Sequence, residues 1–142
     1  MAANEKGYEF LDHTADIGIR AQAPTLSELF VRMAQGLTEL IAEDSALKPQ
    51  QLKSISVSAD DEEGLLLAWL KELLFLFSTE RFLPVEYALD TVTPTMLHGT
   101  VRGNVFDPAR HVQGREVKAI TRHALEVRHA NGLWQAQVIV DI

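Results

Sequence analysis

Apolar residues recur at helical spacing between residues 26 and 41. Leu26, Leu29, Phe30, Met33, Leu37, Leu40 and Ile41 fall on one face, the stripe of a helix laid against a core. Thr25 and Glu28 precede it as a capping box, whose reciprocal hydrogen bonds satisfy two orphan amides, so "PTLSELFVRMAQGLTELIAED" predicts a helix that Gly36 weakens modestly,. A second helix is predicted over "DDEEGLLLAWLKELLFLFSTERF". The acids Asp60 to Glu63 complement its positive N-terminus. Apolar residues then cover most of its circumference, the mark of a helix enclosed on nearly all sides.

The remaining segments follow the two-residue period of strands. In "YEFLDHTADIGIRAQA", Ile17, Ile19 and Ala21 alternate with Gly18, Arg20 and Gln22. "ALKPQQLKSISVSA" centres a short strand on Leu52, Ile55 and Val57. "PVEYALDTV", "TMLHGTVRGNVF", "REVKAITRHALEVRH" and "LWQAQVIVDI" supply four more, and Asn131-Gly132 marks a tight hairpin between the last two,. The order strand, helix, strand, helix, four strands predicts an α+β two-layer sandwich, a mostly antiparallel sheet with two helices packed on one face.

With 142 residues, 46% of them hydrophobic, the chain fits one domain,. Residues 1–7 are expected to form a flexible N-terminal segment and residues 8–142 a single domain. "MAANEKGYEF" lacks the basic start and apolar run of a signal peptide,. The longest apolar stretch, broken by Lys71 and Glu72, falls short of a membrane span,. The absence of cysteine removes disulfides, thiol nucleophiles and Cys-based zinc or Fe–S sites,, and it accords with a cytoplasmic location. A net charge of −7 without any Lys/Arg-rich block argues against direct, tight binding of nucleic acid,. The same charge suits a basic partner or a bound cation.

Strands disfavour Asp, yet Asp12 and Asp16 flank a sharp break in the first strand pattern, with His13 and Thr14 between them. Asp141 stands at the far end of the last strand, on the parity of Gln135, Gln137 and Ile139, away from the apolar set. If the chain ends naturally at Ile142, a terminal carboxylate lies beside it. Were these ends to meet, they would form an anionic, all-oxygen site for Ca²⁺ or Mg²⁺ rather than zinc. The plainer account is that Asp16 caps a turn and Asp141 sits in solvent; spacing alone favours it, since nothing in the pattern forces the two ends together.

Other candidates are weaker. His13, His98, His111, His123 and His129 show no zinc-ligand spacing,. Lys118 lies on a strand of mixed pattern, where Val117, Ala119, Leu125 and Val127 share one parity, Lys118, Arg122, Glu126 and Arg128 the other, and Ile120 is an exception. An ordinary solvated cation is its default reading, and a contact to phosphate or carboxylate the alternative. There is no Walker A loop, no GxGxxG and no GxSxG. No ordered set of nucleophile, base and oxyanion donors is apparent.

Four blocks in order, "DHTADIGIRA", "DEEGLLLAWLKELLFLF", "GREVKAITRH" and the closing "VIVDI", resemble the archease family across residues 8 to 142. The resemblance implies a non-catalytic protein cofactor of the GTP-dependent RNA ligase that seals tRNA halves and broken RNAs. Such a cofactor promotes guanylylation of the ligase's active-site histidine, allows multiple turnover and broadens nucleotide use. Archeases are also described as chaperone-like modulators of RNA-processing proteins.

The resemblance further implies an acidic divalent-metal site. The Asp of the HTAD motif matches Asp16, the penultimate Asp matches Asp141, the terminal residue matches Ile142, and the Lys of the VKAIT motif matches Lys118. Arg122 departs from the family, which often has an aromatic there, and "MAANEKG" lies outside the match. The expected mechanism is assistance in trans, with Asp16 and Asp141 holding or delivering a divalent cation at the ligase's active-site mouth and Lys118 steadying carboxylates or touching a phosphate. Two rival expectations are a scaffold acting through an apolar patch and a metal-dependent hydrolase with its own active site.

Overall fold

The computed structural model describes residues 6–12, 15–43 and 46–142. Most of the segment expected to be flexible, and the candidates His13 and Thr14, therefore lie outside the described residues. Lys6, at the start of the described chain, pairs with Glu39. Among the described residues the elements are β1 (Tyr8–Asp12), β2 (Asp16–Ala23), α1 (Leu26–Ile41), β3 (Gln51–Ser58), α2 (Glu62–Glu80), β4 (Phe82–Val92), β5 (Met96–Val105), β6 (Ala119–Ala130) and β7 (Leu133–Asp141).

The expected α+β architecture with antiparallel pairing is observed, and the strands divide between two sheets. One has the order β1-β2-β7-β6 and the other β3-β5-β4. What the sequence pattern presented as one opening strand is a hairpin, with Tyr8 opposite Ala21 and Asp12 opposite Ile17. Alternation continues through both arms, so only the polar break at 12–16 marks the turn.

Both helices begin inside the predicted segments, α1 with the Thr25 arm of the expected capping box, while the Glu28 carboxylate pairs with Arg32 at 3.5 Å. The Thr25 hydroxyl accepts the Glu28 amide at 3.1 Å, and the Asp61 carboxylate accepts the Gly64 amide at 2.7 Å. α1 ends at Ala42, whose N–H returns to the Thr38 carbonyl. α2 ends on Arg81 in the left-handed conformation, φ 60°, with its N–H on the Leu76 and Phe77 carbonyls.

The seven predicted apolar positions of α1 are all buried. Gly36 has a packing role: a Cβ there would stand 2.8 Å from Ile19 Cγ2, so its absence lets the helix settle on the four-stranded sheet. α1 touches β1, β2 and β7 of that sheet and β4 of the other; α2 touches β6 of the first sheet and β3, β4 and β5 of the second. Each helix is therefore covered by both sheets, which explains the nearly continuous apolar surface of α2. Trp69, wholly buried, donates its indole N–H to the Phe30 carbonyl at 2.9 Å and ties the two helices together.

The β6–β7 hairpin turns on Asn131 and Gly132, with φ of 55° and 77°. Positive φ at both central residues is what a two-residue turn of this twist requires. Earlier in β6 the register breaks. Thr121 faces Ile139 and Glu126 faces Gln137, so five steps of β6 pass two of β7. The odd excess of three residues reverses the parity of the strand. That reversal accounts for Ile120 as the exception to the parity pattern; Lys118 itself precedes β6 and is exposed.

Candidate metal centre

β2 and β7 are neighbours in the middle of their sheet, and their register starts with Asp16 opposite Asp141. Directly opposed residues of an antiparallel pair project to the same face, with Cβ atoms about 4.5–5.5 Å apart. Ile17, Ile19 and Ala21 turn inward with Val140, Val138 and Ala136. The two aspartates therefore stand together on the outer face, and distant parts of the chain do converge.

The outer face beyond them is a self-satisfied polar ladder. Arg20 donates to Gln137 Oε1 at 2.8 Å and pairs with Glu9 at 3.6 Å. Arg128 donates to Gln135 at 3.3 Å. These bonds give Arg20, which lines the same hollow as Asp16, partners other than the aspartates. No ion pair joins Asp16 or Asp141 to a cation among the described residues. One oxygen of Asp16, Oδ1, is buried without a hydrogen-bond partner among them.

Both features are unfavourable for the protein alone. Like charges directly opposite each other repel, and an unpartnered buried oxygen forfeits on the order of 1–3 kcal/mol or more when charged. A hard cation would relieve both, and oxygen donors suit Ca²⁺ or Mg²⁺. The residues present therefore fit such an ion. The described residues contain no set of three or more converging His, Cys, Asp or Glu side chains, so the aspartates supply two side-chain positions and further oxygens would come from backbone or water.

The backbone closes the same end of the sheet. The Ile142 N–H donates to the Ala15 carbonyl at 3.4 Å, and the Lys118 N–H to the Asp141 carbonyl at 2.8 Å. Ile142, half-buried, packs against the core. Lys118 is thus fixed beside Asp141 through its main chain, and its side chain is exposed. Asp12 lines the same hollow as Ala15 and Asp16, together with His123 and Ala124 of the β6 bulge. His123 was one of five scattered histidines in the sequence; its place beside the aspartates depends on the bulge, which sequence spacing does not reveal. Arg122 is exposed on that bulge.

Residues 8–142 match the family model described as Archease protein family (MTH1598/TM1083). The chain belongs to the archease family. Its relatives include a protein archease of Pyrobaculum neutrophilum, 34% identical over 139 residues with 95% of each chain covered. Another is from Pyrococcus furiosus, 35% identical, with 95% of this chain and 98% of that one covered. The solution structure of Methanobacterium thermoautotrophicum protein 1598 superimposes with a TM-score of 0.78 at 33% identity, covering 96% of this chain and 99% of that one. A Thermotoga maritima archease, described as a possible chaperone, shares the fold at a TM-score of 0.62 and 16% identity, with 93% and 94% of the two chains covered. In this archease-family chain no described helix is long and apolar enough to cross a membrane.

Proposed function

We propose that this archease-family protein is a non-catalytic, cytoplasmic activator of the GTP-dependent RNA ligase of tRNA splicing and RNA repair, acting through a divalent cation held by Asp16, Asp141 and Ile142. The observation that carries the reading is the direct opposition of Asp16 and Asp141, with one buried Asp16 oxygen unpartnered. An ion placed there neutralises the pair and leaves the cation on an exposed sheet end, where a partner can reach it.

When bound, a divalent cation would supply charge neutralisation for a nucleotide triphosphate during nucleotidyl transfer. The protein's own part is to hold oxygens at a fixed spacing on two hydrogen-bonded strands. Lys118 adds a positive charge at the same sheet end, available to a phosphate or a carboxylate of the partner. The net charge of −7 complements a basic RNA-binding partner and would steer their encounter,.

The test is guanylylation of the ligase with wild-type, Asp16→Ala and Asp141→Ala protein. The expected result is loss of stimulation by both variants, with Lys118→Ala intermediate. Full stimulation by both aspartate variants rejects the role.

A chaperone-like modulator of RNA-processing proteins is the second reading. It is favoured by exposed apolar side chains away from the aspartates, including Phe75 on α2 at 59% exposure and Leu52 on β3 at 54%. It predicts that Phe75→Ser and Leu52→Ser abolish partner stabilisation while the aspartate variants leave it intact.

A further inference from the structure

Away from the paired aspartates, a hollow of ≈ 590 Å³ opens between the C-terminal ends of the two helices and the loop that follows β5. Ile41, Phe77, Phe106 and Val117 form its apolar lining, and Arg81 and Arg115 stand on its wall. In an acidic protein this is a local excess of positive charge. Among the described residues Glu116 is the one carboxylate lining the hollow, and neither guanidinium makes an ion pair there.

Both arginines are anchored through their main chains. The Arg81 N–H caps α2 on the Phe77 carbonyl at 2.9 Å, and its own carbonyl accepts the Phe106 amide at 2.8 Å. The Arg115 N–H donates to the Leu40 carbonyl at 2.7 Å. The Arg81 guanidinium also lies over the Phe77 ring, 5.0 Å from its centroid, and Phe77 meets Phe106 edge-on at 6.1 Å. The Arg81 guanidinium thus stands over an aromatic floor, Arg115 lines the same wall, and neither is committed to a carboxylate among the described residues. Planar guanidinium forks match phosphate oxygens, and the volume is that of a small-molecule site.

We propose that this hollow binds a small phosphate monoester carrying a flat ring, the phosphate on Arg81 and Arg115 and the ring against the Phe77–Phe106 floor. The two aromatic side chains require more than a bare oxyanion, and the two cations require more than an apolar body. The proposal is independent of the ligase reading, because it uses none of the residues at the paired aspartates.

The test is a titration of the ¹⁵N-labelled full chain with phenyl phosphate, inorganic phosphate and phenol in separate arms at low ionic strength. Phenyl phosphate is expected to shift the Ser78, Arg81, Phe106 and Arg115 amides saturably, with added salt weakening the effect. Inorganic phosphate should bind more weakly, and phenol should leave these amides in place. Loss of a charge-assisted contact in Arg115→Gln should weaken phenyl phosphate about tenfold. That side chain makes no hydrogen bond or ion pair among the described residues, so the variant tests binding rather than folding. Equal binding of phenol or of inorganic phosphate, unchanged affinity in Arg115→Gln, or no response to phenyl phosphate at about 20 mM would overturn the proposal.

Discussion

Asp16 sits under two unfavourable influences, the facing carboxylate of Asp141 and the unpartnered state of its own Oδ1. Asp16→Asn removes the repulsion while keeping the shape. In a chelated buffer it should therefore melt about 2–5 °C above the wild type. Added Ca²⁺ should raise the wild-type midpoint, because an ion that binds only the folded state stabilises it by mass action, and leave Asp16→Asn unmoved. Equal calcium responses in thermal melts would remove the ion from Asp16.

Tyr87 poses a different single-residue case. Its hydroxyl is buried without a well-formed hydrogen bond among the described residues. Burial is the main cause that pushes its pKa above the ordinary value of 10.0, with Thr38 close enough to offset part of the rise. A raised folded-state pKa means that stability is intact below pH about 10 and is lost as the pH climbs toward the folded value. Tyr8 shifts in the same direction, through burial first and then Glu39. Tyr87→Phe should be neutral or stabilising by about 1 kcal/mol at pH 7, and should flatten the fall in stability above pH 10. Denaturant melts at pH 7 and at higher pH check both outcomes.

At the scale of elements, what was legible in the sequence was whatever local chemistry decides. Thr25 caps α1 through a hydroxyl three residues from its partner, a short-range bond that leaves a readable sequence, and the acids at 60–63 marked the start of α2, where Asp61 proves to be the cap. Asp61→Ala should accordingly cost about 1 kcal/mol, measured as a shift in the denaturation midpoint at unchanged slope. The Asn131-Gly132 turn was legible for the same reason.

The β6 bulge was not legible. Its three extra residues are set by where β7 lies, and they place His123 in the hollow lined by Asp12 and Asp16. The acidic site was half legible. The parity of Asp141 put it on the outer face, but only the β2–β7 register shows which residue it meets. The division of the strands into two sheets was hidden for a like reason: a strand's alternation records that one face is buried, not which sheet completes it.

For the whole molecule, the two helices share their apolar surfaces with both sheets, so the sheets are coupled through a common core. Trp69→Ala, at the junction of the helices, should therefore lower the stability of the entire fold by about 3–5 kcal/mol. Hydrogen exchange should show the loss in β5 and β7 alike, and a loss confined to one sheet would contradict the shared core. Charge also acts at this scale. If the acidic surface steers the protein to a basic partner, the association rate should fall about tenfold or more between low and high salt, with dissociation little changed.

The strand that completes the middle of the four-stranded sheet is also the last in chain order. During synthesis the β1–β2 hairpin and α1 leave the ribosome early, and β2 then waits with a bare backbone edge until residues 133–141 arrive. At roughly 5–20 residues per second that interval lasts on the order of 5–20 s, long enough for another nascent chain to dock in the vacant place. Every newly made copy passes through this unfinished stage, and the acidic pair cannot exist until residues 133–141 have been made.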